Sequence, residues 1–136
     1  AWNWRTLGVA GRRQRGDLVR AAQELARGRR APDGTAIVAA WSVNELDDAT
    51  RAELLPALAA LPALNYGVLV IEPLSKAAVP WWNEWQGACR DRGGRADEWK
   101  FTPTLPGELA ELSEAAGFRR ESISARSLWL PPVHGR

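Results

Sequence analysis

Two short runs of continuous hydrophobic residues stand out in the pattern of apolar and polar positions. The first is Thr35–Trp41, which follows a Pro-Asp-Gly turn, and the second is Gly67–Ile71. Runs of this length without polar alternation are typical of strands that are covered on both faces in a parallel sheet. The pattern therefore predicts two buried strands.

The segment that joins the two runs has the spacing of an amphipathic helix. Four leucines share one face of Asp47–Leu61, and Asp47 or Asp48 is suited to cap its start. We expect Pro56 to kink or limit this helix, since proline lacks the N–H that the helix needs. A strand–helix–strand unit crosses over with right-handed geometry, which predicts that the two strands are parallel.

The flanking sequence predicts further helices and strands. Helices are expected over Gly16–Arg29, with Asp17 as N-cap, over Ala77–Arg92, and over Leu105–Ala116, ended by Gly117. Strands are expected at Phe118–Leu130, which is either continuous or broken near Ala125, and less clearly at Leu7–Gly11 and Glu98–Phe101 within an otherwise irregular stretch.

These elements predict one α/β domain built around the βαβ unit. Its parts are a basic strand and helix segment (1–34), the core βαβ unit (35–73), a Trp-rich helix and loop (74–104), and a helix with the terminal strand (105–130).

Composition excludes several classes of protein. No apolar run approaches the roughly 18 residues of a membrane-spanning helix, and the first thirty residues are too polar for a secretory signal. We therefore expect a cytoplasmic protein without membrane contact. The single Cys89 cannot form an internal disulfide, and one Cys with one His134 cannot supply a four-ligand zinc site.

Charge is unevenly distributed along the chain. Residues 1–30 carry eight Arg against Asp17 and Glu24, about +6, whereas the remaining residues carry ten basic and fourteen acidic side chains, about −4. A basic segment of this kind either contacts nucleic-acid phosphates or forms a solvated helix face.

In an open α/β sheet, ligands bind beyond the carboxyl ends of the strands, so the residues that follow the two runs are the candidate site. Here the chain resembles the class I S-adenosylmethionine-dependent methyltransferases, including relatives of the mitoribosome-associated enzymes. The resemblance is carried by four short motifs in order: Arg15-Gly16-Asp17-Leu18, Ala40-Trp41-Ser42-Val43-Asn44-Glu45-Leu46, Glu72-Pro73 and Ala115-Ala116-Gly117-Phe118.

The resemblance implies a partial Rossmann-like sheet, mostly parallel, with helices on both faces and a C-terminal antiparallel strand. It also implies a role for each matching residue. Asp17 would accept a hydrogen bond from the adenine amino group of S-adenosylmethionine, and the Leu18 backbone would contact the ring; the alternative for Asp17 is a plain N-cap. Trp41 and Ser42 would border the methionine end of the cofactor.

The same resemblance places substrate contacts after the first apolar run. Asn44 and Glu45 would face the substrate, unless they only begin the next helix. Trp81 and Trp85, one helical turn apart, would form an aromatic substrate platform or else pack in the core. No catalytic residue and no metal ligand are assigned.

The chain departs from the family in lacking its glycine-rich turn, since no Gly-x-Gly occurs in the sequence. We therefore expect the C-terminal part of an incomplete domain, inactive in isolation, whose sheet is completed by an upstream half, by another chain or by homodimerisation. The predicted function is methyl transfer to an acceptor such as RNA or a small molecule. The alternative is a non-catalytic α/β protein-interaction module.

Overall fold

The computed structural model describes residues 6, 8, 10–11, 15–75, 79–102, 104, 106–117 and 122–133. Within these residues the helices are α1 (Leu18–Ala26), α2 (Asp48–Ala60), a 3-10 helix (Leu61–Leu64), α3 (Trp82–Arg90) and α4 (Gly107–Ala115). The strands are β1 (Ala36–Ala40), β2 (Gly67–Pro73), β3 (Arg95–Phe101) and β4 (Ile123–Leu130). The chain is therefore an α/β protein.

The strands form one mixed sheet in the order β1-β2-β4-β3. β1 and β2 are parallel, with Ala36 opposite Gly67 and Ala40 opposite Ile71, as the βαβ pattern predicts. β4 is antiparallel to both β2 and β3, which confirms the C-terminal antiparallel strand. The expectation of a mostly parallel sheet is wrong, because β4 lies between β2 and β3 and contributes two antiparallel pairings to one parallel pairing.

β3 is also longer than the sequence pattern indicates. Only Glu98–Phe101 alternates clearly, yet the strand begins at Arg95 and pairs along its length with β4. Most of its side chains are exposed or half-buried, so it has no continuous apolar run by which to recognise it. Pairing with β4 fixes this segment as a strand.

The three helices α1, α2 and α3 share one buried cluster with one face of the sheet. That face is formed by Val68 and Val70 of β2 with Leu128 and Leu130 of β4. The helices contribute Val19, Ala22, Leu54, Leu58, Trp82 and Trp85 to the cluster. The predicted coverage of both faces is thus not found within the described residues.

The opposite face of the sheet carries exposed hydrophobic side chains. Val38, Trp99, Phe101 and Ile123 are all more than 40% exposed. Trp99 and Phe101 lie parallel, with ring centroids 6.2 Å apart. We call these four residues, with Trp41, the open face.

Helix boundaries follow the predicted caps. The Asp17 carboxylate accepts from the backbone N–H of Arg20 at 2.8 Å, and that of Asp47 accepts from Thr50 at 2.7 Å. Pro56 lies inside α2, which continues for four more residues to Ala60. Gly117 adopts φ +73° just beyond α4, a left-handed conformation suited to glycine at a helix end.

Some predictions fall partly outside the described residues. These are the strand at 7–11, where 7 and 9 are not described, the start of the Trp-rich helix at 77–78, and 118–121 of the last strand. None of the described helices has the length and apolar character needed to cross a membrane.

Candidate functional site

The carboxyl ends of β1 and β2 lie side by side because the two strands are parallel and in register. The backbone N–H of Trp41 donates to the Ile71 carbonyl at 2.9 Å, so the pairing extends one residue beyond β1. The turn at residues 41–46 and the residues after β2 therefore leave the sheet at the same edge, as the sequence analysis expects of a ligand-binding edge.

Trp41 begins this turn in a left-handed backbone conformation, with φ +48°. A bulky residue adopts that region only where its surroundings hold it there. Its indole is 50% exposed and lies beside Leu69 and Ile71 on the open face. Ser42, the other predicted methionine-end residue, is half-buried and follows directly.

The turn is anchored to β2 by a buried carboxylate. Val43 is completely buried, and its backbone N–H donates to Oε1 of Glu72 at 2.9 Å. Glu72 is itself completely buried at the end of β2. This hydrogen bond joins the backbone of the turn after β1 to a side chain of β2.

Burial raises the pKa of Glu72, since an ionised carboxylate loses its hydration there. The backbone N–H groups of Val43, Asn44 and Ser42 act in the opposite direction by favouring the ionised form. The negative charge of Glu45 adds to the rise. Desolvation is the largest of these effects, so Glu72 holds its proton to a higher pH than an exposed glutamate does.

Asn44 and Glu45, the predicted substrate-facing residues, contact each other. The Asn44 side-chain amide donates to Oε1 of Glu45 at 3.1 Å, and Glu45 is exposed. Both residues lie in the turn before α2, whose first residue is Asp48. They are not part of the helix itself, and the Glu45 carboxylate, which accepts from Asn44, is exposed to solvent.

Arg51 of α2 holds the other side of the same turn. Its guanidinium donates to the carbonyl oxygens of Val43 and Leu46 and pairs with Asp48. The guanidinium carbon also lies 5.8 Å from the centroid of the Trp81 ring. Side chains therefore bind both backbone groups of Val43: Glu72 accepts from its N–H, and Arg51 donates to its C=O.

Asp17 and Leu18, the predicted adenine contacts, lie at the start of α1. They line a shallow surface hollow with Gly16 and Ala21. The N-cap role of Asp17 is realised, and one of its oxygens is already used by Arg20. Val19, the next residue, belongs to the same buried cluster as Val43 of the turn.

Trp81 and Trp85 pack together in the core rather than presenting a surface. Their ring centroids are 4.9 Å apart at an interplanar angle of 61°, and both side chains are at least nine-tenths buried. Trp82 beside them is covered by the guanidinium of Arg126, 5.0 Å from its ring. The structure thus places these tryptophans in the packing role that the sequence analysis gave as the alternative to a substrate platform.

Unsatisfied buried polar atoms concentrate around this edge. Among the described residues they are Asn44 Oδ1, Arg51 Nε, Glu72 Oε2, Trp81 Nε1 and Arg126 Nε. Buried polar groups normally have a partner, so this end of the sheet has spare hydrogen-bonding capacity.

The sequence placed Glu72 in a motif of the candidate site but indicated no individual role for it, and it indicated none for Arg51 or Arg126. The available signal for Glu72 was an acidic residue directly after a continuous apolar strand, where a side chain facing the helices must be buried. Nothing in the spacing of Arg51 or Arg126 distinguishes them from the other arginines of the chain.

Comparison of the chain with protein-family models, with curated proteins and with solved structures gives no significant match.

Proposed function

We propose that this chain is the C-terminal part of an S-adenosylmethionine-dependent methyltransferase domain with a Rossmann-like sheet. The observation that carries the proposal is the parallel pair β1 and β2, whose following residues meet at one edge and are joined by the Val43–Glu72 hydrogen bond. The residues that resemble the family's cofactor motif, Trp41 and Ser42, occupy that edge. The antiparallel strand β4 also agrees with the fold that the resemblance implies.

Under this proposal the chain contributes binding and orientation. Methyl transfer needs a nucleophile aligned with the methyl group, so positioning dominates over acid–base catalysis. Asp17 and Leu18 would contact the adenine, Trp41 and Ser42 the methionine end, and Asn44 and Glu45 the acceptor. The acceptor is either RNA, which the basic segment 1–30 favours, or a small molecule.

The test is a titration of the demethylated cofactor, S-adenosylhomocysteine, into the full-length protein, followed by amide chemical shifts. We expect saturable shifts that concentrate at Leu18, Trp41 and Ser42. ATP serves as the control ligand, since it shares the adenosine but lacks the methionine end. Shifts that are absent, or that ATP reproduces fully, would contradict the proposal.

The role of Asp17 is tested separately from its N-cap. Asp17→Ala removes both the cap and the adenine acceptor, whereas Asp17→Ser keeps a capping oxygen on a shorter side chain. We expect both variants to lose about tenfold in cofactor affinity, a loss of about 1.4 kcal/mol, while only Asp17→Ala lowers the melting temperature. Equal affinity of Asp17→Ser and the unmodified protein would leave Asp17 as a cap only.

A second candidate, the non-catalytic interaction module, is favoured by one observation. The open face exposes Trp41, Trp99 and Phe101 together, and contiguous exposed apolar side chains are typical of protein-interaction sites. This candidate predicts that the cofactor titration gives no saturable shifts and that substitutions on the open face abolish partner binding.

A further inference from the structure

Glu72 is an acidic side chain buried among hydrophobic residues without a cationic partner. It lies on the face of the sheet that packs against the helices, next to Val70 and opposite Arg126 of β4. The Arg126 guanidinium is engaged elsewhere: it donates to the Leu74 carbonyl at 2.6 Å and lies 3.7 Å from Glu98. No described cation forms an ion pair with Glu72, so attraction to a neighbouring charge does not account for its burial.

What does hold the carboxylate is the backbone of the turn. Oε1 accepts the Val43 N–H at 2.9 Å, and the nearby N–H groups of Ser42 and Asn44 also favour the charged form. A buried carboxylate that accepts a backbone N–H restrains the segment that donates it. Val43 is completely buried, so water does not compete for its N–H.

The turn needs such a constraint because it starts from a conformation that tryptophan seldom adopts. Trp41 has φ +48°, and a non-glycine residue there stores strain of order 1 kcal/mol or more. Arg51 restrains the turn from the α2 side through the carbonyls of Val43 and Leu46. The Glu72 carboxylate restrains it from the β2 side.

We propose that Glu72 is a positioning residue, which holds the turn at residues 41–46 in the conformation that directs Trp41 and Ser42 to the carboxyl edge of the sheet. This inference rests on the proposed function in one respect: the proposed function identifies the ligand that the turn meets. The positioning itself is independent of any ligand.

The direct test is the amide proton of Val43 followed by NMR as a function of pH. The titratable and charged groups around Glu72 are Glu45 in the turn, Arg51 on α2 and Arg126 on β4. We expect the Val43 resonance to move in one step with the ionisation of Glu72, and this step to vanish in Glu72→Gln. A Val43 resonance that does not move with pH, or that still moves in Glu72→Gln, overturns the proposal.

Hydrogen exchange gives a second measurement that needs no variant. The Val43 amide should be protected far more strongly than the exposed amides of the turn, and this protection should change across the pH range in which Glu72 titrates. Unchanged protection counts against the proposal even where Glu72→Gln fails to fold. Glu53→Gln, which replaces an exposed acid on α2, is the matched control and should leave Val43 unaffected.

Cofactor binding separates this proposal from the proposed function. If both hold, Glu72→Gln should weaken S-adenosylhomocysteine binding by about tenfold while Glu53→Gln does not. If Val43 titrates with Glu72 but the full-length protein binds no cofactor, the positioning role stands and the methyltransferase proposal fails. If the cofactor binds equally well with and without the Glu72 carboxylate, the turn held by Glu72 does not meet the cofactor, and that part of the proposal is overturned.

Discussion

At the scale of single residues, position 67 requires glycine because a tryptophan ring covers it. The indole of Trp129 lies over Gly67 at the start of β2, and a Cβ at this position would overlap the Cη2 atom of the ring. We expect Gly67→Ala to lower the free energy of unfolding by about 1–3 kcal/mol, because the half-buried ring of Trp129 must move away from β2. Urea denaturation measures the change.

The matched control is Gly87 of α3, where an added Cβ meets open space. Alanine there removes the conformational freedom of glycine in a helix interior, so Gly87→Ala should stabilise the protein by about 1 kcal/mol. If the two substitutions have the same effect, the close contact between Gly67 and Trp129 is not present in solution.

The free energy of unfolding should also depend on the ionisation of Glu72. Its pKa is raised in the folded state by burial, so the folded chain binds this proton more tightly than the unfolded chain. The contribution of Glu72 to stability therefore declines as the pH rises from the unfolded pKa through the folded pKa. Glu72→Gln lacks this decline, and in urea titrations its stability relative to the unmodified protein should rise as the pH is raised above 4.5, the ordinary glutamate pKa. A constant difference would contradict the pKa direction.

At the scale of elements, α2 begins where Asp47 caps it. The backbone N–H of Thr50 holds the pKa of Asp47 below its usual value, with a smaller contribution from the charge of Arg51. Because the folded pKa is depressed, the stabilisation is present at neutral pH and is lost as the pH falls through the folded pKa. We expect Asp47→Ala to lower the melting temperature at pH 7, and to do so less at acidic pH.

Asp47→Ser is the control for this cap, since serine offers a capping oxygen without a titratable charge. It should retain most of the melting temperature at pH 7 and show no acid-dependent component. A melting temperature of Asp47→Ala that equals that of the unmodified protein would mean that α2 does not depend on its cap.

At the scale of the whole molecule, β1 and the open face leave apolar surface uncovered. β1 pairs with β2 on one side and has no partner strand on the other among the described residues. Its five residues are all apolar and include no charged residue or proline, the usual protections of an edge strand. We expect this chain to associate through β1 and the open face with a second copy of itself.

Sedimentation velocity over a range of concentrations tests this association. The isolated chain should form dimers or larger species, and Val38→Lys, which places a charge on β1 where the side chain is 59% exposed, should shift it towards monomer. Ala52→Lys, at an exposed position of α2, is the control and should have no such effect. A stable, well-folded monomer at high concentration would contradict the proposal.

Local pattern was sufficient to determine β1, β2, the starts of α1 and α2, and one strand pairing. The apolar runs identify β1 and β2, the aspartates identify the starts of α1 and α2, and the βαβ order dictates parallel strands, because all of these depend on residues close together in the chain. The same order indicates the edge at which Trp41 and Ser42 lie. These results follow from hydrogen-bonding and chirality rules that act over short stretches of sequence.

Only the tertiary structure decided where β4 lies, which face of the sheet is covered and which polar side chains are buried. The position of β4 between β2 and β3 depends on pairing between residues distant in sequence, and β3 has no apolar run that would predict a strand there. Pro56 does not end α2, since packing of Leu54 and Leu58 in the core offsets the hydrogen bond that proline cannot form. Glu72 acquires its role because Val43, 29 positions earlier, is brought to its carboxylate, a contact that no local pattern encodes.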